Sequence, residues 1–87
     1  MDPKSATAYN DRAWYYFKAG KAAQGLPDAE KALTLAPGYV DALDTRGHIF
    51  EALGRREEAI TDLRRALAKG PNHQSTKAAL QRLGAEP

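Results

Sequence analysis

The sequence predicts an all-α fold, an α-solenoid of two helical hairpins closed by a C-terminal capping helix, five helices in all. Three observations predict it. Between Val40 and Lys69 apolar residues return at three- and four-residue intervals in two successive runs, the spacing that gives each of two helices one buried face. Glycine closes a run at Gly20, Gly54 and Gly84. Pro3, Pro37 and Pro71 stand 34 residues apart, so the pattern repeats at a fixed period.

The elements follow in order. Asp2-Pro3 occupies the place that Ala36-Pro37 and Gly70-Pro71 occupy later, so residues 1–5 read as the tail of an earlier repeat. The first helix is expected from Ser5, a hydroxyl N-cap, to Ala19, with Gly20 in the left-handed conformation. It carries Trp14-Tyr15-Tyr16-Phe17, four consecutive aromatics that wrap beyond one core-facing stripe, so at least one is left for another surface. In the second helix Gly25 stands where the next repeat has Ala59, and Ala29 replaces the bulk of Leu63. Because proline is comfortable only in a first turn, Pro27 places the regular start near Gly25 or Leu26, leaving Lys21 to Gln24 as an irregular turn before a helix that ends at Leu35. The first hairpin is therefore expected to be the less stable, with aromatic bulk filling the space beside Ala29.

The second hairpin is more regular. Its first helix presents Leu43, Gly47, Ile49, Phe50 and Leu53, and its second presents Ala59, Ile60, Leu63, Ala66 and Leu67, with Arg56, Glu57, Arg64 and Arg65 in water. Gly47 and Ala59 are the small residues that let the two backbones approach, and Gly70-Pro71 ends the second helix. A fifth helix from Asn72 or His73 to Leu83 covers the fourth with Thr76, Ala79, Leu80 and Leu83, and Ala85-Glu86-Pro87 frays. The chain divides into repeats at 6–39 and 40–73 and a cap at 74–84.

Leu43, Gly47, Phe50, Gly54, Ala59, Leu63, Ala66 and Pro71 resemble the tetratricopeptide repeat in residue type and spacing. Stepping back one repeat pairs Arg12 with Arg46, Asp28 with Asp62 and Leu33 with Leu67. The resemblance implies a right-handed superhelical stack that holds a peptide or partner helix in a concave groove and is not an enzyme. It places Tyr9, Ala13 and Tyr16 inside and Thr7, Asn10, Trp14 and Phe17 along the groove. Some members grip a chaperone's C-terminal carboxylate with Lys, Asn and Arg. Here Asn10 and Trp14, then Thr45, then Ser75 and Ala79 hold the matching places, a departure that argues against that ligand for this chain.

Asp41, Asp44, His48 and Glu51 follow one another at three- or four-residue intervals and share one face of the third helix, which the repeat pattern turns to the groove. They read as an acidic strip for a partner with basic residues and an apolar anchor, or as a solvated helix face, with a metal site the weaker alternative. Arg12 and Arg46 recur where the common pattern often has Leu, which suggests a structural role, their guanidinium groups reaching a carboxylate or carbonyl. Arg55, Arg56, Arg64 and Arg65 read as solvated cations.

Composition excludes more than it assigns. A net charge of +2 spread over the chain is weaker than the basic stripe of a nucleic-acid binder. No cysteine is present, so there is no disulfide or thiolate chemistry, and no cofactor, metal-ligand or catalytic motif appears. No apolar run approaches a membrane span and the N-terminus lacks a signal-peptide core, so a soluble chain is expected, cytoplasmic by default. A first helix left bare toward a preceding repeat invites self-association, and a homodimer through the aromatic hairpin is the alternative to a peptide-binding groove.

Overall fold

The computed structural model describes residues 5–70 and 73–85 as five helices: α1 (Ala6–Lys18), α2 (Ala22–Leu35), α3 (Val40–Ala52), α4 (Arg56–Lys69) and α5 (Gln74–Arg82). Pro3, Pro71, Asn72, Glu86 and Pro87, with the readings placed on them, lie outside the described residues. α1 packs on α2 and α3 on α4 as hairpins, α3 lies against both α1 and α2, and α5 covers α4.

Local chemistry sets the helix ends. Ser5 Oγ accepts from the Ala8 amide at 3.1 Å, fixing the start of α1. Gly20, Gly54 and Gly84 follow α1, α3 and α5 at φ +78°, +76° and +74°, where a side chain would be strained. In each case the residue after the glycine donates its amide back to the helix, as Arg55 does to the Phe50 carbonyl at 2.8 Å.

α2 starts earlier than the sequence suggests. Ala22 to Gln24 are helical, and Pro27 sits in the second turn rather than the first. Pro27 is exposed, so the Ala23 carbonyl that loses its amide partner lies toward solvent, and packing of the flanking residues carries the helix through. Gly25 is likewise no fault. A Cβ there would stand 2.8 Å from the Ala13 carbonyl oxygen and 3.2 Å from Ile49 Cδ1, so the glycine is where α2 meets α1 most closely.

The two hairpins reach close packing in complementary ways. In the second, Leu63 fills the space above Gly47, where an added Cβ would lie 2.6 Å from Leu63 Cγ. In the first, Ala13 and Ala29 take the equivalent positions and Ile49 of α3 joins them, with Phe17, Ala22 and Leu26 packed around. Thus Phe17 is the one residue of the aromatic run that joins this cluster, and an aliphatic side chain of the next repeat fills the rest. A second cluster of Ala32, Leu33, Ala42, Leu43 and Ala66 joins the hairpins, and a third joins α3, α4 and α5 through Phe50, Ile60, Leu63, Ala79 and Leu80.

Candidate functional site

α1, α3 and the head of α5 enclose a cleft of about 280 Å3, lined by Asn10, Asp11 and Trp14, by Asp41, Asp44 and Thr45, and by His73 and Ser75. Asn10 and Trp14 share a face of α1 one turn apart, and Asp41 and Asp44 share a face of α3, so helical period alone brings these four to one opening. Thr45 and Ser75 stand at places the family resemblance matches to the groove, whereas Asp11 and His73 escape sequence reasoning.

The floor is a polar network. Asp44 is buried, its Oδ1 accepts from the Thr76 hydroxyl at 2.6 Å, and its Oδ2 lies 3.4 Å from Ser75 Oγ. Since Thr76 gives its one proton to Asp44, the contact between His73 Nδ1 and Thr76 Oγ1 requires the proton on His73 Nδ1. His48, also buried, donates from Nδ1 to the Asp44 carbonyl at 2.8 Å. Its ring stands edge-on to Trp14 and Phe17 at 5.8 and 5.7 Å, while the Trp14 and Phe17 centroids are 5.1 Å apart. Trp14 is thus held from behind, with its remaining exposure toward the cleft.

The acidic strip is not a row of free charges. Asp41 is exposed and unpaired among the described residues, but Asp44 is engaged by α5 hydroxyls and His48 lies behind Trp14. Glu51 accepts two hydrogen bonds from Arg82 at 2.8 and 3.0 Å. The cause is α5, which crosses near α3 and satisfies the acids that the helical period of α3 alone would leave to solvent. Phe17 turns into the core cluster rather than the cleft, and Thr7 sits at the rim, its hydroxyl 3.5 Å from Tyr39 Oη. Among the described residues the carboxylates open at the cleft are Asp11 and Asp41, and no Lys or Arg lines it. Lys18 Nζ stands 5.8 Å from the Trp14 ring centroid.

The other charged residues are mostly internal fasteners. Arg12 donates to both oxygens of Asp28 at 2.7 and 2.8 Å, and Arg46 to both of Asp62 at 2.7 and 2.9 Å. Those hydrogen bonds are the chief reason both guanidinium pKa values are raised. Arg55 pairs with Glu58, and Arg56 donates to the Leu83 carbonyl at the end of α5, so these two are fasteners as well as solvated cations. A larger depression of about 360 Å3, lined by Glu30, Arg46, Phe50, Asp62 and Arg65 among others, has the Arg46–Asp62 pair in its wall and holds no unpaired buried polar atom. Size therefore does not make it the site. Among the described residues no three His, Asp or Glu side chains are grouped to hold a metal ion, and no helix is long and apolar enough to cross a membrane.

Antiparallel helix pairs stacked at a constant period, with the first helix of each pair and the cap sharing one cleft, define a helical-repeat interaction scaffold. Family models described as tetratricopeptide repeat match residues 6–39 and 40–73, and the chain belongs to that family. Domains of this family are generally interaction modules rather than catalysts. Sperm-associated antigen 1 of the rat is 37% identical over 82 residues, which are 94% of this chain and 9% of that protein. The chain therefore spans about a tenth of that relative's length. The first tetratricopeptide domain of human RPAP3 superposes with a TM-score of 0.90 at 31% identity, covering 95% of this chain and 65% of that one. The first such domain of Spaghetti, solved bound to the HSP90 peptide SRMEEVD, gives 0.90 and 31%, covering 95% and 66%.

Proposed function

We propose that an extended segment of a protein partner lies in the concave cleft, with Trp14 as its apolar anchor and Asn10 and Asp41 as its polar contacts. Phe17 and His48 back Trp14, Asp44 and Glu51 fasten α5 beside the cleft through Thr76 and Arg82, and Thr7 borders the path at the rim. The observation that carries this reading is the convergence of α1, α3 and α5 on one opening, which a solvated helix face has no reason to produce. The Spaghetti domain, bound to a peptide, supports the ligand class. Its peptide ends in Glu-Glu-Val-Asp, whereas the described residues that line the cleft here include carboxylates and no Lys or Arg, and Arg82 is paired with Glu51. The complementary partner carries Lys or Arg beside an apolar side chain.

The test is a titration followed by Trp14 emission, comparing a leucine- and lysine-containing peptide with SRMEEVD. The basic peptide should bind more tightly and protect Trp14 from an aqueous quencher. By calorimetry, Trp14→Ala should weaken it by about 2 kcal/mol, as expected of an aromatic anchor. Tighter binding of SRMEEVD would overturn the charge preference, and binding of neither peptide would overturn the groove reading.

A second reading, a homodimer through the first hairpin, has one observation in its favour. Tyr15 is 66% exposed although Ile49, its equivalent one repeat later, is fully buried against the preceding hairpin. A second copy covering Tyr15 would show a mass that falls on dilution, and Tyr15→Lys would abolish the change. A constant monomer mass excludes it.

A further inference from the structure

His48 is buried, with 7% of its side chain exposed. Its Nδ1 lies 2.8 Å from the Asp44 carbonyl oxygen, which can only accept, so Nδ1 carries the proton and the neutral ring keeps a free lone pair on Nε2. Nε2 makes no hydrogen bond among the described residues, yet it is not sealed. The side-chain atom that is both unpartnered and shut away from solvent there is Asn10 Oδ1 and no other, so the small open part of the His48 ring includes Nε2. α3 packs against α1, α2 and α4, so the side on which its ring reaches solvent is the one between α1 and α5, the concave groove. Trp14 and Phe17 of α1 stand edge-on to the ring, and Glu51, a turn further along α3, is tied to Arg82 of α5. Phenylalanine in place of His48 would pack on the same two rings and leave no acceptor to lose its water when a ligand covers the groove.

We propose that His48 Nε2 accepts a main-chain N–H of the bound segment, given by a residue next to the one anchored on Trp14. This rests on the groove reading above and sets the register of the segment along it. A main-chain amide is the donor that fits. Nε2 is neutral and walled by apolar rings, where an ammonium would give up hydration that one uncharged acceptor does not replace. Every residue of an extended segment except proline brings an N–H that must find a partner once water is excluded. The spacing agrees as well: an extended chain advances about 3.3 Å per residue, so a residue on Trp14 has a neighbour's amide within the 5.8 Å that separates the Trp14 and His48 rings. The Nδ1 bond to the Asp44 carbonyl fixes the ring and its tautomer, which leaves the acceptor preset. Arg82 is taken up by Glu51, so the donor comes from the partner.

The experiment uses the full chain and an end-capped heptapeptide with a central leucine flanked by lysine and serine, its main-chain amides replaced one at a time by esters. An ester removes the N–H and keeps the shape of the segment. One ester, beside the leucine, should weaken binding about tenfold, and the others should leave the affinity nearly unchanged. His48→Phe should weaken the parent peptide by the same factor and then bind the parent and that ester equally, the mark of an interaction shared by the two groups. His48→Leu serves as a second variant, and the unfolding midpoint of each is measured beside its affinity. Esters that all bind like the parent, with Trp14 still protected from a quencher, would overturn the assignment and leave the groove standing. An ester loss that persists in both variants would overturn it too, because the amide would then meet another acceptor. So would a His48-dependent loss on exchanging the peptide's serine for alanine with no ester effect, which would make a hydroxyl the donor. Binding of no peptide would overturn both readings.

Discussion

The Arg46 guanidinium grips both carboxylate oxygens of Asp62 across the α3/α4 hairpin, and Arg12 grips Asp28 in the same way one repeat earlier. The two pairs are alike in geometry and unlike in burial. The carboxylates are both largely buried, Asp62 3% and Asp28 10% exposed, and the arginines differ, Arg46 being 21% and Arg12 49% exposed. Removing Arg46 leaves a buried carboxylate unpaired, so Arg46→Met should cost about 3 kcal/mol in a urea titration. The double variant Arg46→Met, Asp62→Leu should recover most of the loss, because an apolar pair leaves nothing uncompensated. Arg12→Met should cost less than Arg46→Met, since solvent can replace its partner. The raised Arg46 pKa means that, wherever the Asp62 carboxylate is ionised, the contribution of Arg46 is held through neutral pH and is lost on the alkaline side only in strong alkali.

Gly47 and Leu63 form a size-matched pair. Gly47→Ala would place a Cβ 2.6 and 2.7 Å from Leu63 Cγ and Cδ2, in a core where Leu63 is fully buried. The expected loss is about 1–3 kcal/mol from overpacking. Leu63→Ala alone should cost about 3 kcal/mol or more from the cavity. Their combination recreates the Ala13/Ala29 pairing of the first hairpin, so the double variant should lose less than the sum of the singles. Additive losses in denaturant unfolding would mean that the two hairpins do not exchange this packing solution.

Pro27 shows where local preference yields to packing. It sits in the second turn of α2 without an amide to give the Ala23 carbonyl. Pro27→Ala restores that donor and removes the ring's crowding of the preceding turn. The unfolded chain gains some freedom, a smaller opposing effect. Thermal unfolding should show a net gain of about 1–2 kcal/mol. No gain would mean that α2 has already accommodated the ring without loss.

The hairpins were legible because their signal is periodic: apolar spacing within a helix and a constant step between repeats need no knowledge of distant partners. Arg12 and Arg46 were legible for the same reason, since each carboxylate recurs with its arginine. The start of α2 was misjudged because Gly25 and Pro27 read as faults until the Ala13 carbonyl and Ile49 are in view. At the cleft, Asn10 and Trp14 followed from one face of α1 and Asp41 from one face of α3. The fate of Asp44 and Glu51 did not, because Thr76 and Arg82, 32 and 31 residues onward, come from α5, outside both repeats.

That dependence on α5 can be measured at Thr76. Its side chain is fully buried, and its hydroxyl joins Asp44 of α3 to the first turn of α5 while accepting from His73. Thr76→Val keeps the shape and removes both hydrogen bonds, leaving one Asp44 oxygen buried without its donor. The expected cost is about 2 kcal/mol, the penalty of an unsatisfied buried acceptor. Because the other polar fasteners of α5 among the described residues are the long Ser75–Asp44 contact, the exposed Glu51–Arg82 pair and the Arg56 bond to the Leu83 carbonyl, leaving mainly the packing of Ala79 and Leu80, the loss should fall first on α5. Hydrogen exchange should therefore quicken in α5 before α3 and α4. Asp41 and Asn10 would remain in place, but the cleft would lose its Ser75 and His73 wall, so peptide affinity should fall as well. Uniform loss of protection across all helices would instead make α5 part of one cooperative unit with the hairpins.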